Sequence, residues 1–521
     1  MNPFTKKHII VVALLLVGAQ AASAGTDVFF NPLTQPAAIA QVPDHINELN
    51  SPWQVPAGIS YKNLTSLHEI EADSSQQSTV RVPGLGAGAS ATDMSAFDSS
   101  GRYIFLPHET MFGAGVTRYD TVTDRAVNLF KGDMNGAVGN WSGDFGAFDP
   151  ATWTPVNTLL LGEEWSGEGR LFELMNPMAD VEAGEAINLR ELNSIPNVSH
   201  EGLRFNHDGT ALYFVDEDKS GSIYKFVPSV KGDYSKGQSF VLVVDAFAGD
   251  PAVHWNVGVN AGAVRTGTAH WAPLTDASGV ALTATDPFRN GPSRSSNPDL
   301  IRGGRAAADE VDATPFGRPE DVEVGYLANG NEVLYFNATS EHVVYSIEEF
   351  GNGQAMVRLA ASTATPRNLG YAPTTAQLNS PDNLAQDALG NIYIVEDKPD
   401  PMVAGDDVWF LRDTNGDGVA ESLDHFMSLQ VKGAESTGMI FNPANPTQFI
   451  INVQHPESTN VAGGQGDATW LYDLKDVVAP PCVKDDDEYG RHHERSEQRK
   501  VRTCSDSDDT NFINKLIKAG R

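Results

Sequence analysis

Glu109, Glu163, Glu217, Glu341 and Glu396 each follow a short apolar run, and His455 follows a sixth. Glu164, Glu201, Glu320, Asp321, Asp382, Asp397 and Glu435 stand at comparable run ends. Carboxylates brought together in a protein repel and raise one another's pKa unless cations neutralise them. A donor set of oxygens without sulfur suits Ca²⁺, Mg²⁺ or Mn²⁺. Any one of these residues could simply end a strand in a polar turn. Their recurrence in six aligned places argues instead for convergence on one site, with Glu109, Glu164, Glu201, Glu320, Glu396 and Glu435 as expected metal ligands.

A second, separate signal is Asp413-Thr414-Asn415-Gly416-Asp417-Gly418, continuing to Asp424. Asp413, Asn415, Asp417 and Asp424 match calcium-loop positions, and Gly418 stands where that loop turns sharply. The flanks do not read as helices, so the expected role is a structural calcium-binding connection between strands; the alternative is an Asx-rich turn without metal. His108, His200, His207, His342 and His455 also sit at strand ends, where a histidine is more often structural than catalytic. The chain has no Gly-x-Ser-x-Gly elbow, His-Glu-x-x-His pair, phosphate loop or dinucleotide fingerprint.

The elements that must position these residues repeat one pattern. From Ser199 to Phe226 the chain reads as an acid-bearing strand, a polar turn at Asn206-His207-Asp208-Gly209, an apolar strand, an acidic turn at Asp216-Glu217-Asp218, and a further strand. Similar units begin near Met94, Gly146, Arg318, Ser380 and Gly433. The acidic ends recur roughly every 55 residues, with one gap about 70 residues longer, which predicts an all-β, six-bladed β-propeller with an insertion after the third unit. A double β-sandwich is the competing architecture. The expected organisation is an extended lead-in over 25–93, the propeller over 94–477, the insertion at about 228–315 acting as a lid or decoration, and a charged tail over 478–521.

The N-terminus carries Lys6 and Lys7, an apolar run from Ile9 to Val17, and Ala22-Ser23-Ala24, a small-residue cleavage site. This predicts a secretory signal peptide cut after Ala24 and a periplasmic or extracellular protein. The 36 basic and 68 acidic residues give a formal charge of −32. That charge argues against nucleic acid as a partner and against an anionic membrane surface. Cys482 and Cys504 are the two cysteines; an oxidising compartment would let them close a loop worth about 3 kcal/mol.

Several of these stretches together resemble the PhoX-type alkaline phosphatases: His200-Glu201-Gly202-Leu203, Arg318-Pro319-Glu320-Asp321, Ser380-Pro381-Asp382-Asn383-Leu384, Ile392 to Asp397, Ala434 to Gly438, and Gln454-His455-Pro456. The resemblance spans roughly residues 94–475. It implies a secreted six-bladed propeller that hydrolyses small phosphate monoesters with an iron–calcium cluster in its channel. By the same resemblance the acidic ligands map to Glu164, Glu201, Glu320 and Glu396. Arg318 and Glu320 become the catalytic candidates, Arg318 as a phosphate-binding guanidinium. Two departures stand out. The cysteine that would ligate iron is Gly162, and the signal lacks a twin-arginine pair. Calcium is therefore the expected cation, with iron as the alternative. The contrasting readings are a calcium-stabilised propeller that binds a ligand without turnover and a calcium-dependent lactone or ester hydrolase.

Overall fold

Leu159–Glu163 and Leu212–Asp216 show how this chain makes strands. Each is a five-residue run, buried throughout, that follows a residue in the left-handed region, Asn157 and Gly209 respectively. Apolar residues buried on both faces are what a strand between two packed layers requires. The computed structural model describes residues 28–39, 50–74, 79–82, 89–248, 254–289, 302–397, 405–457 and 465–478. The signal peptide, Cys482, Cys504 and the charged tail lie outside the described residues.

The strands form four sheets of four or five strands and one of nine, all antiparallel within each sheet. The first sheet runs in chain order through Ala96–Phe97, Tyr103–Pro107, Gly115–Asp120 and Arg125–Lys131. The second runs through Phe148–Trp153, Leu159–Glu163, Leu171–Leu174 and Leu189–Glu191. The nine-stranded sheet contains two such meanders. One begins at His200–Phe205 and ends at Asp233–Val244; the other begins at Pro319–Tyr326 and ends at Gln354–Ser362. Their outer strands both pair with Gly267–Pro273. That strand belongs to the stretch read from sequence as an insertion poor in strands. Its role is therefore to join two units along their outer edges.

The remaining two sheets are completed by the N-terminal segment. Trp53–Gln54 pairs with Ser422–Leu429, and Ser60–Ser66 pairs with Ala468–Asp473. The expected lead-in thus supplies strands to two sheets. The first strand of each meander packs on the first strand of the next, through 148–153, 200–205, 319–326, 381–386 and 435–441. Closure between the last meander and the first comes from Thr437 Oγ1 donating to the Thr92 carbonyl (2.9 Å) and Asn452 Nδ2 donating to that of Asp93 (2.8 Å). The apolar clusters fill the layers between consecutive meanders. This is a propeller-like all-β arrangement, not a pair of sandwiches. Among the described residues no helix is long and apolar enough to cross a membrane.

Trp53 shows how strongly the N-terminal segment is held. It is 1% exposed, meets the Tyr472 ring edge-on at 5.8 Å, and donates its indole N–H to Ser436 Oγ at 3.2 Å. Replacing Trp53 with alanine is expected to cost about 3–5 kcal/mol, read as a lower urea midpoint at an unchanged slope. A loss under 1 kcal/mol would mean the segment is not integral to the fold.

Candidate metal centre

The inner strands carry a repeated backbone device. Ala91, Ala147, Arg318 and Ser380 all have φ between 45° and 56°, a region uncommon for residues other than glycine. Two positions later come Asp93, Asp149, Glu320 and Asp382. In three of these strands the pairing register slips across the acid: between Phe148 and Ala151, Pro319 and Val322, and Pro381 and Leu384. In the third meander Glu201 holds the same position, with the slip at Gly202. A bulge re-aims one side chain out of the alternating pattern, and here it turns each carboxylate toward the axis.

A second row lies one or two residues beyond the neighbouring strand. The backbone N–H groups of Glu109, Glu164 and Asp397 donate to the carbonyls of Ala91, Ala147 and Ser380 at 2.8–2.9 Å. Glu217 and Thr339 make the equivalent bond to Ser199 and Arg318, each at 3.0 Å. The two rows enclose a cavity of about 260 Å³. Nine carboxylates line it: Asp93, Glu109, Asp149, Glu164, Glu201, Glu320, Asp382, Asp397 and Glu435. Within it, four overlapping groups bring carboxylate oxygens within 4.8 Å of one another: Asp93–Glu109–Asp149, Asp149–Glu164–Glu201, Glu201–Glu320–Asp382 and Asp382–Asp397–Glu435. Asp149, Glu201 and Asp382 each belong to two groups.

These carboxylates are poorly matched with donors. One oxygen each of Asp93, Asp149, Glu164 and Glu201 is buried without a hydrogen-bond partner in the protein. Gln454 Nε2 donates to Asp93 at 3.1 Å and Glu109 at 3.4 Å, and the Trp165 indole donates to Glu109. His455 Nε2 lies 3.2 Å from Glu435, and its Nδ1 faces the Gly433 carbonyl at 2.9 Å. Among the described residues Arg318 is the one Lys or Arg on the cavity wall. Its Nε donates to Glu217 at 2.5 Å, and its Nη2 lies 3.2 Å from Glu320. Burial, followed by repulsion from neighbouring carboxylates, pushes Asp93, Asp149, Glu164, Glu201, Asp382 and Glu435 well above the usual carboxylate range. Glu320 rises to about 7, burial again leading, with Arg318 opposing it.

Other acids singled out from sequence lie elsewhere. Glu163 is fully buried behind the wall and takes the Arg170 guanidinium at 2.7 and 2.9 Å together with three backbone N–H groups. Glu396 also lies outside the cavity. It accepts from the backbone of Asn379 and Asp407 and from the Trp409 indole, and the adjacent Asp397 faces the cavity instead. Asp321 accepts from the N–H groups of Val322 and Leu384, joining two inner strands. Glu341 caps Gly317 and the Tyr345 hydroxyl. In the Asp413 loop, Asp413 is occupied by the N–H groups of Gly416, Asp417 and Gly418. Asn415 and Asp417 accept from Asp417 and Val419, and Asp424 turns to Arg412 at 2.8 Å. Asp413, Asp417 and Asp424 form no close carboxylate group among the described residues.

Asp93 and Asp149 were not picked out from sequence. Aligning the units on their first strands, so that Thr92-Asp93, Phe148-Asp149, Pro319-Glu320 and Pro381-Asp382 coincide, would have found both. Gly162 has no room for a side chain. A Cβ there would lie 2.7 Å from His200 Cβ and 2.9 Å from Pro150 Cγ. The described residues include no cysteine, so the cavity offers carboxylates, one amide, one imidazole and no thiolate.

A family model for alkaline phosphatase PhoX matches residues 187–457, and the chain belongs to that family. The fold is also that of Pseudomonas fluorescens PhoX, solved in complex with vanadate, a transition state analogue. That structure shares 14% identity and a TM-score of 0.55, over 86% of this chain and 99% of its own. A calcium-binding protein, regucalcin, from Agrobacterium tumefaciens is more distant, with 11% identity and a TM-score of 0.38 over 74% of this chain and 90% of its own. No curated protein matches the sequence.

Two outcomes are expected. In cation-free protein these carboxyls titrate above their unfolded-state values, so the folded chain holds more protons than the unfolded one. Stability is then greatest at about pH 4 and falls as pH rises through about 7, the value for Glu320. Added calcium should raise the melting temperature more at pH 8 than at pH 5; equal shifts at both would contradict the repulsion. Replacing Glu163 with alanine strands Arg170 and should cost about 3–5 kcal/mol, measured by denaturant unfolding.

Proposed function

We propose that this chain is a phosphoric-ester hydrolase acting on small phosphate monoesters, with divalent cations held in the channel of a six-bladed propeller. The six blades are the four short sheets and the two meanders of the nine-stranded one. The observation that carries the reading is nine carboxylates converging on one cavity with a single guanidinium on its wall. Belonging to the PhoX family supports it, and so does the vanadate, a transition state analogue, bound by the Pseudomonas protein.

Asp93, Glu109, Asp149, Glu164, Glu201, Glu320, Asp382, Asp397 and Glu435 would hold the cations; Asp149, Glu201 and Asp382 each belong to two of the carboxylate groups. The all-oxygen donor set favours calcium or another hard cation over thiolate-ligated iron. Bound cations would supply Lewis-acid polarisation of the phosphoryl oxygens and a water of lowered pKa. Arg318 binds the non-bridging oxygens and offsets the charge that builds on them. Glu217 and Glu320 hold the guanidinium in place before substrate arrives, which limits the reorganisation required. The setting is outside the cytoplasm, as in other members of the family.

The test is hydrolysis of a chromogenic phosphate monoester by the mature protein with calcium and with chelator, alongside elemental analysis. Turnover should require calcium. Glu201→Gln and Glu320→Gln should each lower kcat by roughly 100-fold or more, and Arg318→Ala by about 10²–10³-fold, with partial recovery in Arg318→Lys. Bound cation without turnover across a panel of esters would leave a cation-stabilised binding protein and overturn the hydrolase reading.

A further inference from the structure

Residues 302–309 come from the insertion, yet they reach the back of the loop that carries Glu164 and Trp165 into the cavity wall, and of the adjoining 216–218 loop. Arg302 is 3% exposed. Its Nη1 donates to the Gly167 carbonyl at 3.0 Å, and its Nη2 to those of Ser166 and Glu164 at 3.2 and 3.3 Å. Gly169, at φ 66°, lies flat against it: a Cβ there would sit 3.0 Å from Arg302 Cδ. The loop so held presents Glu164 and Trp165, and Trp165 in turn donates to Glu109 of the preceding meander. Ser199 Oγ adds a second bond to the Glu164 carbonyl at 3.0 Å.

Arg305, in the helix Gly303–Asp309, does the same for the next loop. Its guanidinium grips both oxygens of Asp216, at 2.6 and 2.7 Å, and reaches Asp218 at 3.1 Å. Glu217, between those two aspartates, holds Arg318, whose own N–H donates to the Asp218 carbonyl at 3.2 Å. Two arginines close together in sequence therefore brace the loops that present Glu164 and Glu217 from behind. Neither lines the cavity. A planar fork serving several fixed acceptors is rigid in a way a single ammonium is not, and groups that orient metal ligands commonly matter 10–100-fold in metal affinity.

We infer that Arg302 is a positioning residue for the cation cluster and that the insertion exists in part to deliver it. The inference rests on the proposed cation binding. Calcium binding to the full chelator-treated chain is measured by calorimetry, and terbium luminescence excited through Trp165 reports the placement of ions beside Glu164; Trp165→Phe fixes the background. Arg302→Met is expected to fold, to weaken calcium binding by about 10–100-fold and to dim the Trp165-sensitised signal, with Arg302→Lys recovering part of both. Where Arg302→Met does not yield folded protein, Arg302→Gln, which keeps one donor and no buried charge, is judged by the same comparison. Folded variants that bind calcium as the wild type does, with undiminished luminescence, would overturn the inference and leave the cation site standing. A wild-type protein that binds no calcium would overturn both.

Discussion

Mutual repulsion among buried carboxylates governs this molecule. Nine acids line one cavity, several with an oxygen that meets no donor. In a low-dielectric interior such an arrangement is costly unless protons or cations neutralise it. The rest of the protein supplies what the cavity opposes. Apolar layers between consecutive meanders provide the cohesion, and the backbone ties between the two rows keep the acids from relaxing outward. The fold therefore holds its acids in an arrangement that only a counter-charge makes comfortable, which is what a preorganised cation site requires.

Geometry at the site depends on departures from regular structure. An undisturbed strand would send alternate side chains into the apolar layers between meanders. The left-handed residue followed by a register slip takes one acid out of that alternation and points it inward. Glycine would adopt the turned conformation without cost, but Ala91, Ala147, Arg318 and Ser380 occupy it. At Arg318 the same distorted residue also brings a guanidinium to the cavity, so one backbone feature places both that group and the Glu320 carboxylate two positions on.

The repeating units and their acidic ends were legible because period-2 apolar runs and turn residues are local signals. Glu109, Glu164, Glu201, Glu320 and Glu435 all reach the cavity for that reason. What failed to show was facing. A one-residue difference at a strand end decides whether an acid meets the axis or the layer behind it, and Glu396 and Asp397 fall on opposite sides of that line. Asp149 was hidden because its inward aim comes from a bulge, which periodicity does not reveal, and Asp93 because it stands before a strand of only two residues, Ala96–Phe97. The strand Gly267–Pro273 was lost in a stretch dense with glycine and proline, and its pairing depends on edges far away in the chain. Arg302 left no sequence signal of its role, since its acceptors are carbonyls and any residue supplies those.

The pairing of Ser60–Ser66 with Ala468–Asp473 bears on the order in which the site matures. The ring is sealed by the two ends of the described chain, so its last join waits on nearly the whole polypeptide. Until then the acids of the first and last meanders have no common floor. Assembly of the cavity is thereby tied to completion: a chain cut short before Ala468–Asp473 would be deprived not only of a strand but of the partner that anchors the N-terminal segment.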